Sequence, residues 1–282
     1  MSTVAALDLK RPDHAYMFGF LQCDGHLSQN TRNRGKLSVE LSAVDRSLLE
    51  RFRDLVPFPS SITTRTRRTN FSEQHTSVVW TVCYLEFRRE LIALGLPVGK
   101  KSQVVHPPSV EFSIVDYLRG LVDADGSVGL TSTGIPFVGF TTISDALKDF
   151  FLRSCPPGGR QRRVVSRNKR DDAFNVMVMR EAAVELATTL YYEACLALPR
   201  KAEAAHRVQS WRRPSGMRKV SSKRWTAEED RIALERTVAE AVRLLGRTPS
   251  SVTMRRWRLV TDDRIARRVR ALRDPRLFYE PL

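Results

Sequence analysis

The chain has 282 residues, 42% of them hydrophobic, so it can form two or three compact cores and is not a disordered protein. Its 47 Lys and Arg against 31 Asp and Glu give a formal net charge of +16, a balance that points to a polyanionic partner, nucleic acid being the usual one. Four cysteines without a CxxC pair exclude a zinc ribbon and a disulfide framework, and nowhere do 18 apolar residues run together to span a membrane.

The N-terminal MSTVAALDLKRPDH lacks an apolar core of signal-peptide length, so a soluble protein of the reducing cytoplasm is expected. Pro12 and Asp13 open a helix running to about Asp24, which carries YMFGFLQCDGHL over residues 16–27. KLSVEL from Lys36 alternates like a half-buried strand. Asp45 can cap a helix through Leu48, Leu49, Phe52 and Leu55, closed by Pro57. Strands ITTRTRRT from Ile62 and SVVWTVCYL from Ser77 follow, then the helix EFRRELIALG to Gly95.

A second helix carries DYLRGLVDADGSV over residues 116–128. Ser113 and Asp116 form a capping-box-like start, Ile114, Leu118, Leu121 and Val122 make an apolar stripe, and Gly126 supplies the stop. Strand-like VGLTST and PFVGFTT, a helix from Ser144 through Leu147 and Phe151, strands QRRVVSRN and AFNVMVM, and a helix from Arg180 to about Leu196 complete the order before LPRK. The same succession thus occurs twice, about 100 residues apart. The expected fold class is α+β: two pseudo-symmetric αββαββα halves, residues 1–105 and 106–210, each presenting one antiparallel sheet, followed by a small all-α domain.

Residues 211–224 are basic, contain Pro, Gly and Ser, and read as a linker. From residue 211 onward 19 Lys and Arg face 9 Asp and Glu, so the tail is the more basic part. In residues 225–282, Thr226 and Glu229 cap one helix, and Thr248 with Pro249 starts another after Gly246. Val252, Trp257 and Leu259 are expected inward, and Arg255, Arg256 and Arg258 outward. The run WTAEED…LGRTPSSVTMRRWRL resembles Myb/SANT-like helix-turn-helix domains, which implies DNA contacts by Arg247, Arg255, Arg256 and Arg258. Five arginines between Arg264 and Arg273 suggest an appended basic arm.

The two motif helices align at one offset of 101 residues: Gly19 with Gly120, Cys23 with Ala124, Asp24 with Asp125, Gly25 with Gly126. Gly120 and Ala124, four apart, leave one helix face almost bare, so another backbone can approach there, as in small-xxx-small pairs. An aspartate at the negative end of a helix dipole is costly unless a cation is bound. A calcium loop is not the explanation, because the twelfth residue counted from Asp123 is Gly134 and not the bidentate Glu of an EF-hand. If the bare faces pack, Asp24 and Asp125 converge and either share a proton or bind a divalent ion, for which hard oxygen ligands suit Mg²⁺.

LRGLVDADG at residues 118–126 and MFGFLQCDG at 17–25 resemble the motif of LAGLIDADG homing endonucleases. The resemblance implies helix packing through Gly19, Cys23, Gly120 and Ala124, with Asp24 and Asp125 as catalytic metal ligands. It further implies a monomeric single-chain enzyme that cleaves double-stranded DNA at a long site with Mg²⁺. Lys100 and Lys101 in GLPVGKKS, and Lys201 in LPRK, occupy comparable positions; Lys101 and Lys201 are the expected charge stabilisers, solvated lysines the bland alternative. Gln22 stands where the second copy has Asp123, and Arg119 and Phe18 replace the family's small residue. Arg65 and Arg67 alternate with threonines, and Arg160, Arg162, Arg163 and Arg167 crowd the matching hairpin, so a sheet face could track a duplex; edge protection is the alternative. Two rivals share these features: a catalytically inactive DNA-binding transcription regulator and an RNA maturase.

Overall fold

Helix α1 (Pro12–Asp24) is buried from His14 to Gln22, which explains why its sequence shows no polar face. Its partner is α4 (Ile114–Asp125), buried from Asp116 to Asp123. The two cross backbone to backbone. A Cβ added at Gly120 would stand 2.2 Å from the Tyr16 carbonyl oxygen, and one at Gly19 would stand 2.4 Å from that of Tyr117. In this computed structural model, residues 6–29, 35–69, 72–155, 163–167, 172–217 and 225–261 are described. The chain divides into two units, residues 1–217 and 218–282.

After α1 come β1 (His26–Leu27), β2 (Lys36–Ser42), a 3₁₀ turn (Ala43–Asp45), α2 (Arg46–Leu55), β3 (Ser60–Thr69), β4 (Ser72–Cys83) and α3 (Leu85–Ala93). After α4 come β5 (Gly126–Leu130), β6 (Pro136–Thr142), α5 (Asp145–Ser154), β7 (Arg163–Arg167), β8 (Phe174–Met179) and α6 (Glu181–Leu190). The strands form two antiparallel sheets, ordered β1-β2-β4-β3 and β5-β6-β8-β7. Alternation sends Leu37, Val39, Val78, Trp80 and Val82 of the first sheet, and Val138, Phe140, Val176 and Val178 of the second, into a core shared with both motif helices. Phe52 of α2 joins it, edge-on to Phe20 at 5.5 Å and tilted 5.9 Å from Trp80.

Several details depart from the sequence reading. Gly126 ends α4 at φ −114°, not in the left-handed region; a glycine is required because an added Cβ would lie 2.5 Å from the Gly139 carbonyl oxygen. Ser113 makes no backbone cap; its hydroxyl donates to the Asp116 carboxylate. Ile114 is 50% exposed and lies off the stripe. Asp45 likewise does not cap α2 through its side chain, but accepts from Arg200 at 3.1 Å. The helix expected to reach Leu196 stops at Leu190, and a further helix, α7 (Pro199–Gln209), follows. Residues 211–217, read as the start of a linker, belong to the first unit, where the Trp211 indole donates to the Gly134 carbonyl and Arg213 pairs with Glu181.

The second unit has three helices among its described residues, α8 (Ala227–Glu235), α9 (Val238–Leu245) and α10 (Pro249–Thr261). Thr226 with Glu229 and Thr237 with Glu240 are full capping boxes, and Thr248 accepts from the Ser251 amide at 3.2 Å. Gly246 turns the chain at φ +61°. Ala233, Ala241, Val252 and Leu259 are buried, whereas Trp257, expected inside, is 60% exposed. No helix among the described residues is long and apolar enough to cross a membrane.

Gly120→Ala is expected to lose about 3 kcal/mol of stability, because backbone on both sides leaves the new methyl nowhere to go. Urea unfolding should show a lower midpoint at unchanged slope, beside Gly216→Ala, whose Cβ meets nothing within 4 Å. Equal midpoints for the two variants would mean that the helices do not cross so closely.

Candidate active site

Each motif helix ends on an acidic residue, and the crossing brings those ends together. Asp24 and Asp125 both reach solvent. The protein around Asp24 dehydrates it, and the charge of Asp125 adds to the effect, raising its pKa to about 6. Burial also raises Asp125, opposed by a hydrogen bond from the Cys23 thiol and by the charges of Lys101 and Lys201. Cys23, expected only to pack, therefore also donates to a carboxylate. Its thiol pKa is pushed well up by burial and then by the two aspartates.

The two lysines are not solvated. Lys101 is 9% and Lys201 7% exposed. The Lys101 ammonium donates to the Cys23 carbonyl, and that of Lys201 to the carbonyls of Val122, Asp123 and Gly126 at 2.8, 2.6 and 2.9 Å. Each thus meets carbonyls at a helix C-terminus and places positive charge at the negative end of that helix's dipole. Burial lowers both lysine pKa values, and the surrounding acidic groups oppose it. Lys201 sits in the first turn of α7, the helix not anticipated from sequence. Lys100 is exposed and lines an open recess beside Asp24 with His26, Ser28 and Gln29.

One turn back from the helix ends lies a pair of crossed hydrogen bonds. The Tyr16 hydroxyl donates to Asp123 at 2.7 Å, and the Tyr117 hydroxyl donates to the Gln22 side-chain carbonyl. Asp123 also accepts from the Tyr191 hydroxyl at 2.6 Å and the Leu198 amide at 2.7 Å, tying α4 to the segment that leads into α7. Gln22 donates to the carbonyls of Gly95 and His106 at 3.0 and 2.9 Å, tying α1 to the segment after α3. Gln22 and Asp123 are therefore both buried fasteners, and the exchange of amide for carboxylate lies behind the carboxylate pair.

Two cations missed as structural groups complete the surroundings. Arg119 is fully buried, paired with Asp116 at 2.6 Å, bonded to the Leu190 and Leu196 carbonyls at 2.8 Å, and lies near the rings of Tyr16 and Tyr192 at 5.2 and 5.0 Å. Arg200 joins α7 to Asp45 at the head of α2. The sign of residue 119 could be read from sequence, but its burial depends on partners 71 and 77 residues away.

The expected DNA contacts are distributed differently from the sequence reading. Arg65 is exposed and has no ion pair among the described residues, whereas Arg67 pairs with Glu40 at 2.8 Å. Arg163 and Arg167 stand in backbone register with Val178 and Phe174. Arg160 and Arg162 lie outside the described residues. In the second unit Arg247 and Arg255 are not outward: Arg247 pairs with Glu229 at 2.8 Å and stacks 4.0 Å from the Trp225 ring, and Arg255 grips Asp230 through two 2.7 Å bonds. Arg258 is exposed and Arg256 partly so.

No group of three or more His, Cys, Asp or Glu side chains that could hold a metal occurs among the described residues. The carboxylate pair nonetheless fits a hard divalent cation that keeps several waters, since the oxygens are mutually repelling and open to solvent.

No protein-family model matches the chain, and no curated protein does. Among solved structures it is similar to the homing endonuclease I-WcaI bound to its DNA recognition sequence, at 11% identity over 70% of this chain and 87% of that one, with a TM-score of 0.50. It is also similar to the I-LtrWI LAGLIDADG homing endonuclease bound to target DNA, at 10% identity over 70% and 88% of the chains and a TM-score of 0.42. A third is the N-terminal LAGLIDADG domain of DUF199/WhiA, at 13% identity over 66% and 84% with a TM-score of 0.44. The mixed α+β architecture with two antiparallel sheets matches LAGLIDADG-type folds.

Two outcomes are expected from this geometry. The folded state resists ionising Asp24 until about pH 6, while an unfolded chain ionises it near pH ~3.9, so with chelator present its contribution falls as pH rises through that window. The melting temperature of Asp24→Asn relative to wild type should therefore climb from pH 4 to 7; a constant difference would show that the carboxylate is not raised. Tyr16→Phe, which removes a donor from a carboxylate, should cost about 1.5–3 kcal/mol, and Tyr117→Phe about 1 kcal/mol, by denaturant unfolding. The reverse order would contradict the Asp123 carboxyl as the acceptor of the Tyr16 hydroxyl.

Proposed function

We propose that the chain is a site-specific endonuclease that hydrolyses phosphodiester bonds of double-stranded DNA with Mg²⁺. In this reading it acts inside the cell as a monomer, with two pseudo-symmetric LAGLIDADG halves extended by a helix-turn-helix module within residues 225–282. The observation that carries the proposal is the carboxylate pair, Asp24 and Asp125, where two helices meet, each helix end being capped by a buried lysine. The solved structure of I-WcaI with its DNA recognition sequence is in keeping with it.

Asp24 and Asp125 would hold the cation. Mg²⁺ bound there would supply Lewis acidity that acidifies water and offsets charge on the phosphate. Lys101 and Lys201 keep fixed positive charge behind the carboxylates, and their bonds to helix carbonyls hold each ammonium in place. Strands β1 and β5 start directly after the two aspartates, so the far faces of both sheets lead away from the cleavage point along a groove. Phosphate contacts would set the register, and base edges would set the sequence. In the helical module Arg256 and Arg258 remain for phosphates, while Arg247 and Arg255 brace α8 against α10 and its approach.

A cleavage selection on randomised duplex DNA with Mg²⁺ tests this. Wild type should leave double-strand breaks at one long motif, and Asp24→Asn and Asp125→Asn should each lower the rate by about a hundredfold or more. Sequence-selective binding without cutting by wild type would leave a DNA-binding regulator, and preference for structured RNA would leave a maturase.

A further inference from the structure

The two sheets differ in the face turned away from the core. On the first, Lys36, Glu40, Arg65 and Arg67 share the far side of the register, with Glu40 accepting from Ser77 at 2.7 Å and pairing with Arg67 at 2.8 Å. On the second, register places Ser127, Gly129, Phe137, Gly139, Met177 and Met179 on the far side, and none of the described residues there is charged. Phe137, Met177 and Met179 are partly exposed and take no part in the core. The glycines let these side chains lie low. A Cβ at Gly139 would be 2.8 Å from the Met177 sulfur, and one at Gly129 would be 3.6 Å from the Phe137 ring. The result is a shallow apolar strip with Thr141 and Asn175, bonded to each other at 2.9 Å, at its polar end.

A face without charge among its described residues is unexpected on a chain of net charge +16. The strip is also continuous with the candidate site: β5 begins at Gly126, next to Asp125, and Ser127 and Gly129 are the first two residues of its far face. The chemistry that suits such a strip inside a DNA major groove is the thymine C5-methyl, the one apolar group on a base edge there. Resting on the DNA reading above, we infer that Phe137 and Met177 read thymine methyl groups in the half-site lying on the second sheet, so that the target is chemically asymmetric. At about 3.3 Å per strand residue and about 3.4 Å per base pair, the contacts fall about two to four base pairs from Asp125.

The test changes the DNA first and the protein second. Duplexes bound by the full chain are recovered from a randomised pool and resynthesised with deoxyuridine for thymidine, one half-site at a time, which removes methyl groups and leaves pairing intact. The expected result is a loss of about three- to fivefold in affinity per contacted methyl in one half only. That loss should vanish in Phe137→Ala/Met177→Ala, which identifies the half on the second sheet. No effect of deoxyuridine in either half, or an effect unchanged in the variant, overturns the inference while leaving the DNA reading intact. Failure to recover any duplex removes both. A concentration-dependent dimer of the DNA-free protein, lost in the variant, would assign the strip to a second copy and overturn it as well.

Discussion

Two helix backbones touch at Gly19 and Gly120, and most of what is particular to this chain depends on that contact. With a Cβ position 2.2 to 2.4 Å from the opposing carbonyl, no side chain fits between the helices. The approach is what aligns their C-terminal ends and brings two exposed carboxylates close enough to interact. It also brings Tyr16 of one helix to Asp123 of the other and Tyr117 to Gln22, so the hydrogen bonds that fix the helix ends exist only because the backbones are close. The sheets then follow, since β1 and β5 start where the helices stop.

The electrostatics of the helix ends follows from the same constraint. A helix C-terminus is negative, and a terminal aspartate makes it more so. Here two such ends are pressed together, and burial first, then the charge of Asp125, raises Asp24 to about 6. The chain answers with ammonium groups placed under the carbonyls and not beside the carboxylates. Lys201 meets three carbonyls at 2.6 to 2.9 Å, so its charge is anchored by geometry that a substrate does not have to supply. The carboxylates themselves remain exposed.

Gln22 and Arg119 show how the reading of a motif position changes once its partners are known. By type, Gln22 resembles a weakened acid of an asymmetric site, yet it is a buried tie between α1 and the segment after α3. Arg119 resembles an intrusion into a helix contact, yet it lies fully buried against Asp116 and two carbonyls, a position that requires every donor to be used. In the helical unit, Arg247 and Arg255 have the charge and spacing of DNA contacts, but Glu229, Asp230 and Trp225 take them up.

The sequence by itself determined most of the order of helices and strands in residues 12–190, the two-fold recurrence of the motif at an offset of 101, the bare face at Gly19 and Gly120, and the acidic residues at the helix ends, but neither α7 nor α9. These are legible because periodicity, capping pairs such as Thr226 with Glu229 and small-residue spacing act over a few residues of chain. Tertiary structure alone decided that α7 exists and carries Lys201 to the carbonyls at the end of α4, and that Asp45 pairs across 155 residues with Arg200. It also decided that Trp257 is exposed and that the described residues Phe137, Met177 and Met179 share the second sheet's far face. Those outcomes depend on which distant carbonyls, carboxylates and strands a side chain meets, and a local pattern contains no information about partners that only folding brings within hydrogen-bonding reach.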